Sequence, residues 1–189
     1  LPGSMVNGFN CSYMTVSQSE ELLTQKVGAY VLTIDTRNNG QESITAKQAG
    51  LSYDSDGSVD KLIRNQDRFT WFLAFNQHRN YEVSSSIKYD EQKTEAAISE
   101  LKCMQQENMT EPSDAHIEEK DDKFVIVPEQ EGTALKPEKT SQDIIDALVT
   151  GRTPVDLEAD GCYKEPKVYQ SDETLTKNCD LINLSLIHI

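Results

Sequence analysis

The sequence predicts an α+β fold, with mixed helices and short antiparallel strands in two apposed subdomains. Segments whose apolar residues recur at helical spacing are interspersed with segments of strict two-residue alternation. Charged or Asn-Gly turns link strands into hairpins, and no regular strand-helix-strand run appears. At 189 residues with 37% hydrophobic content, the chain is large enough to enclose a real core beneath a polar surface.

Thr15-Val16-Ser17-Gln18 has the form of a capping box, with Thr15 as N-cap and Gln18 reaching back. Val16, Leu22, Leu23 and Val27 then form an apolar stripe up to Gly28. Tyr30, Leu32 and Ile34 alternate with Val31 and Thr33 as a strand. Arg37-Asn38-Asn39-Gly40 carries an Asn-Gly turn signal, and Glu42–Thr45 returns as the hairpin partner. A turn at Asp54–Gly57 feeds a helix capped near Ser58, through Val59, Leu62, Ile63 and Gln66. Four aromatics fall within Phe69–Phe75, among them the only tryptophan, Trp71. They suit either a core plug between subdomains or a sugar-stacking platform.

Tyr81, Val83, Ile87 and Tyr89 share one parity, the pattern of a half-buried strand. Asp90 caps a helix that turns Ala97, Ile98 and Leu101 inward, and Gln105–Ser113 is a polar loop. Ile117 and Phe124–Val127 bracket Lys120-Asp121-Asp122-Lys123 as a charged hairpin turn, and Pro128 ends the second strand. Pro137 opens a helix with Ile144, Ile145, Leu148 and Val149 on its buried stripe, and Gly151 closes it. Val155 and Leu157 flank a short strand, and Ser171 caps a last helix through Leu175, Cys179 and Ile182. Thr15-Val16-Ser17-Gln18 leading through Leu22 and Leu23 to a short strand resembles Thr140-Ser141-Gln142 leading through Ile144 and Leu148 to Val155 and Leu157, either as a diverged duplication or as chance similarity between two amphipathic helices.

Composition excludes several functions. With 18 basic against 32 acidic residues and a net charge of -14, no basic face is available for nucleic acid or anionic lipid. No run approaches the roughly 20 apolar residues of a membrane span. Leu1-Pro2-Gly3-Ser4 reads as the continuation of a preceding segment, and Leu184–Ile189 continues no earlier pattern and is set aside as a truncation or read-through. Cys11, Cys103, Cys162 and Cys179 lack CxxC spacing, and His78, His116 and His188 are scattered, so no zinc site is expected. Aligning Gly57 with the glycine of a calcium loop puts Ser52 first and Ile63 last, where carboxylates belong. No metal or cofactor is therefore expected. No serine lies in a G-x-S-x-G elbow, and no phosphate-binding glycine loop occurs. Cys162, between Gly161 and Tyr163, has no histidine near it in sequence and reads as a buried or bonded cysteine, not a nucleophile. No catalytic residue is assigned.

Several phrases carry a family resemblance. Leu1–Ser4, Val6-Asn7-Gly8 and Cys11–Val16 resemble the opening that follows the membrane anchor in many Gram-positive cell-wall proteins, among them L,D-transpeptidases and VanW-like proteins. Ile44-Thr45-Ala46 through Leu51-Ser52-Tyr53 resembles the strand that follows there. Val59–Gln66, Trp71, Tyr89-Asp90, Glu107–Thr110, Pro112, Asp114-Ala115, Phe124–Glu129 and Gly132-Thr133 are similar to the peptidoglycan-binding domain that precedes the transpeptidase catalytic domain. Val155–Leu157, Cys162-Tyr163 and Pro166 resemble its exit. The catalytic motif S-H-G-C-x-R is not in this sequence, so no catalytic residue carries over.

The resemblance implies a non-catalytic module outside the cytoplasm, with peptidoglycan as partner, an N-terminal membrane anchor and a downstream catalytic domain in the parent. A VanW-like parent instead implies a folded spacer with no ligand of its own. Residues 1–57 form the expected N-terminal unit, 58–168 the peptidoglycan-binding domain, and 169–189 a terminal helix and link. An extracytoplasmic site makes oxidation available, and Cys103 and Cys162 each stand at the rim of an element, so a disulfide between them is expected. Cys11 with Cys179, or four free thiols, are the alternatives.

If Trp71 fills the junction between the subdomains, Trp71→Ala should destabilise by roughly 3–5 kcal/mol in denaturant unfolding. A loss below about 1 kcal/mol would place the indole at the surface and favour the stacking platform.

Overall fold

The computed structural model describes residues 4–6, 9–10, 14–54, 79–81 and 87–187. The helix expected from Val59, the aromatic run with Trp71, Cys11, His78, His188 and the division at residue 57 lie outside the described residues.

The fold is α+β. Strands β1 (Ser4–Val6) and β2 (Phe9–Asn10) precede helix α1 (Val16–Gly28), whose capping box between Thr15 and Gln18 forms as expected. Strand β3 (Val31–Thr36) turns into β4 (Gly40–Thr45), followed by a helical turn α2 (Ala46–Ala49) and β5 (Ser52–Tyr53). Strands β6 (Arg79–Tyr81) and β7 (Ile87–Lys88) lead to α3 (Glu91–Ser99), capped by Asp90, which accepts from Lys93 N–H at 3.1 Å. The hairpin of β8 (His116–Lys120) and β9 (Lys123–Val127) turns at Asp121 and Asp122, both at positive φ. Helix α4 (Pro137–Thr150) has proline in its first turn and ends at Gly151, as expected; β10 (Val155–Asp156) and α5 (Glu173–Ile187) follow.

The central sheet has the order β10-β3-β4. β3 and β4 are antiparallel from Val31–Thr45 to Thr36–Gly40, whereas β10 joins β3 in parallel, Val155 opposite Ile34. β1 pairs with β2 antiparallel and with β6 in parallel, and β5 pairs with β7. One core packs against the inner face of the central sheet. Leu32, Ile34 and Ile44 from the sheet meet Ala97, Ile98 and Leu101 around α3, and Ile144, Ala147 and Leu148 from α4. Leu135, Val155, Leu157, Cys162 and Tyr163 complete it. The alternation read in Leu32 and Ile34 is thus the burial pattern of β3.

Four local expectations need correction. The β3–β4 turn places Asn38 and Asn39, not Asn39 and Gly40, at positive φ (61° and 58°), and Gly40 is extended. Asparagine tolerates this conformation because its short amide bonds locally. The strand that the resemblance implies from Ile44 to Tyr53 is interrupted by α2, since Thr45 and Gln48 form a second capping box. Gly50 leaves that turn at φ +63°, where a Cβ would lie 2.6 Å from that of Asp90. Within the expected loop 105–113, Gln106–Asn108 forms a 3-10 turn. The last helix is capped by Asp172 rather than Ser171, its carboxylate accepting from Thr174 and Leu175, and it continues through Leu184 to Ile187.

Gly132 marks the closest approach between two segments. A Cβ there would stand 2.1 Å from the Thr110 carbonyl oxygen and 2.5 Å from Pro112 N. That carbonyl already accepts from Thr133 and Ala134, so it cannot yield without breaking both bonds. Gly132→Ala should therefore cost on the order of 1–3 kcal/mol, the usual penalty of overpacking. A urea unfolding midpoint matching that of the parent would count against this close contact.

Candidate functional site

The β3–β4 turn overhangs an open cleft of about 680 Å³. Asp35, Arg37 and Gln41 line it from the hairpin, and Glu131, Asp156 and Glu158 from across the chain. Among the described lining residues, four carboxylates face one guanidinium.

Arg37 organises this wall. Its guanidinium grips both oxygens of Glu158, through Nε and through Nη2 at 2.8 Å. Nη1 donates to the Gly132 carbonyl at 2.6 Å. The guanidinium lies over the Tyr163 ring, 4.3 Å from its centre, and the Tyr163 hydroxyl accepts from Arg37 N–H at 2.8 Å. Only 11% of the Arg37 side chain is exposed. A planar fork with five donors suits this position, which lysine could not fill. The bond from Arg37 holds the Glu158 carboxyl below its ordinary value, and the same bond raises Arg37. Around it, Asp35 accepts from the Gln41 amide at 2.7 Å, and Asp156 accepts from Glu158 and Ala159 N–H. Glu131, at 3.9 Å from Arg37, is mostly exposed.

Cys103, Cys162 and Cys179 are free thiols, so the bridge expected between Cys103 and Cys162 is not made in this structure. Cys162 Sγ is 3.2 Å from Asp143 Oδ2, which also takes Lys139 Nζ at 3.0 Å. Burial opposes ionisation of Asp143, but the bonds from Lys139 and Cys162 outweigh it and its carboxyl is lowered. Burial, then the Asp143 bond, pushes the Cys162 thiol up to about 11. Burial and the neighbouring Glu42 push Cys103 up to about 12. These are the opposite of the conditions that create a thiolate nucleophile. His116 is exposed, its Nδ1 3.2 Å from the Asp114 carbonyl. Among the described residues no group of metal-ligating side chains assembles, and no helix is long and apolar enough to cross a membrane.

Two expectations follow. Because the folded Glu158 carboxyl lies below its ordinary 4.5, its ion pair stabilises the fold fully above that pH and is lost as pH falls through the lowered value. Stability of the parent should fall more steeply below that pH than that of Glu158→Gln, read from denaturation midpoints along an acid series. Raised thiols should also make Cys103 and Cys162 slow to alkylate at neutral pH while folded and fast once unfolded. Failure of both to react after unfolding without reductant would show a bridge.

No curated protein and no solved structure matches the chain. Residues 42–156, more than half of the chain, match the family described as "Putative peptidoglycan binding domain". The matched span runs from Glu42 in β4 to Asp156 in β10, and so takes in α3, the β8–β9 hairpin and α4 around the shared core. The chain belongs to this family of peptidoglycan-binding domains.

Proposed function

We propose that the chain is a non-catalytic, extracytoplasmic module that holds an L,D-transpeptidase, a peptidoglycan cross-linking enzyme, against the cell wall. The family match over 42–156 carries the wall-binding part of this reading. The transpeptidase partner rests on the order of the phrases from Leu1 to Pro166 that resemble such enzymes, and so does an anchor preceding the chain. The raised thiols of half-buried Cys103 and buried Cys162 fit a role in binding rather than acyl transfer.

The cleft beside Arg37 offers a polar polymer a suitable surface. Its carboxylates and the Gln41 amide offer acceptors and donors on a wall held rigid by the Arg37 contacts. A rigid wall keeps the entropic cost of binding low.

Purified sacculi should carry the chain into the pellet on centrifugation, and recovery in the supernatant alone would favour the spacer. Incubated with muropeptides, the chain should yield no cross-linked or trimmed product. Turnover by the chain itself would overturn the non-catalytic assignment.

A further inference from the structure

Wall binding leaves open which part of peptidoglycan is held, and the outer edge of β4 bears on that choice. In an antiparallel ladder, bonded and non-bonded residue pairs alternate. The 2.9 Å bond from Ala46 N–H to the Tyr30 carbonyl sets the phase here. Leu32–Ile44 and Ile34–Glu42 are then bonded pairs, while 33–43 and 35–41 turn their N–H and C=O groups outward. On the β3 side those outward groups are used. Thr33 N–H donates to Thr153 Oγ1 at 3.1 Å, and the Asp35 carbonyl accepts from Leu157 N–H at 3.1 Å. On the β4 side, the outward groups of Gln41 and Ser43 meet no partner among the described residues, and both residues are exposed. Among the described strands, β4 is the outer one of its sheet.

This edge leads into the cleft, which Gln41 also lines. Glu158 already neutralises Arg37, so the remaining carboxylates of Asp35, Glu131 and Asp156 favour a cationic group. No aromatic side chain lines the cleft among the described residues, so a sugar ring finds no stacking face there. Peptidoglycan contains both chemistries, a glycan strand of rings and stem peptides that carry an amine on their diamino acid. An extended peptide beside a free edge gains main-chain hydrogen bonds, and a neighbouring pocket reads one of its side chains. The self-pairing hazard of such an edge is limited by its short length.

We propose, on the footing that the chain binds peptidoglycan, that the open edge of β4 takes the stem peptide as an added strand with its free amine seated in the adjoining cleft. The full chain, labelled with ¹⁵N, would be titrated with a synthetic stem tetrapeptide containing lysine, its amine-acetylated form, and a peptide-free GlcNAc–MurNAc disaccharide. The Gln41 and Ser43 amide resonances should shift with the tetrapeptide and stay in place with the disaccharide. Acetylation should weaken binding about fivefold, the scale of one partly exposed charge pair. Ser43→Pro removes an N–H that no ladder bond uses and should weaken the tetrapeptide. The double variant Asp35→Asn, Glu131→Gln changes only side chains of the cleft, leaves the ladder bonds in place, and should bind free and acetylated peptides alike. Resonance shifts with the disaccharide, or tetrapeptide binding that leaves Gln41 and Ser43 unmoved, would overturn the proposal. Sacculi binding that survives both variants would overturn this inference alone, whereas absence of sacculi binding by the parent would remove the wall-binding reading beneath it.

Discussion

Arg37 ties together three stretches of chain that lie far apart in sequence, the hairpin tip, the segment at Gly132 and the segment from Glu158 to Tyr163. From one side chain, bonds reach Glu158 and the Gly132 carbonyl, and the guanidinium covers the Tyr163 ring. Its own backbone N–H is held by the Tyr163 hydroxyl. A buried cation is costly unless its donors are met, and here a carboxylate, a carbonyl and a ring face share the task. The consequence is geometric. The tip of the β3–β4 hairpin is fixed against the segment after β10, and the 131–132 segment is drawn to the same point. Gly132 can approach Thr110 closely only because it has no side chain, so the Arg37 knot and the tight 110–132 contact depend on each other.

A net charge of -14 looks at first like a matter of solubility alone. Many of the carboxylates do structural work on backbone N–H groups. Glu42 receives Lys102 and Cys103, Asp114 receives Lys167 and Val168, and Glu129 receives Gln170. Asp90, Asp156 and Asp172 do the same at turns and helix starts. A charged acceptor makes a stronger bond than a neutral one, which suits a chain with short strands and irregular connections. Acidity here is therefore partly a means of holding loops, and the segment 164–170 after the core is fastened this way, with Lys164 on Glu111 as a further tie.

Features decided within about four residues were legible in the sequence. The Thr15–Gln18 box, the Asp90 cap, proline and glycine at the ends of α4 and the Asp121-Asp122 turn all depend on side chains bonding their own neighbourhood. The misses were local contests between two adequate signals. Asn38 and Asn39 took the turn that Asn39 and Gly40 also encode, and Asp172 displaced Ser171, its charged Oδ1 accepting from two N–H groups more strongly than a neutral hydroxyl would. Thr45 and Gln48 carried a second capping-box signal, hidden inside a segment whose β-branched residues read as strand. Nothing local announced Arg37, because its partners lie 95 to 126 residues away. The same holds for the outer edge of β4, left unpaired among the described strands because β10 takes the other side of β3.

The echo between the two helix-strand runs has a physical basis, with the register shifted by one turn. β3 and β10 pair in parallel, and each closely follows a helix. In α1 the N-cap is Thr15 and the buried hydroxyl is Ser19, which bonds back to the Thr15 carbonyl at 3.0 Å. In α4 the N-cap is Lys136, and buried Thr140 bonds back to the Lys136 carbonyl at 3.0 Å. Thr140 thus corresponds to Ser19, not to Thr15. Helix α3 follows suit, with N-cap Asp90 and buried Thr94, whose hydroxyl donates instead to the Ala49 carbonyl at 2.9 Å. Ser19, Thr94 and Thr140 are the buried polar residues among those described, and each stands four places beyond its N-cap. A small hydroxyl at that point lets the first turn press into the core while its polar atom finds a carbonyl nearby. An apolar residue of similar size would pack as well but leave its helix start less tightly specified, so the three hydroxyls set where each helix enters the core.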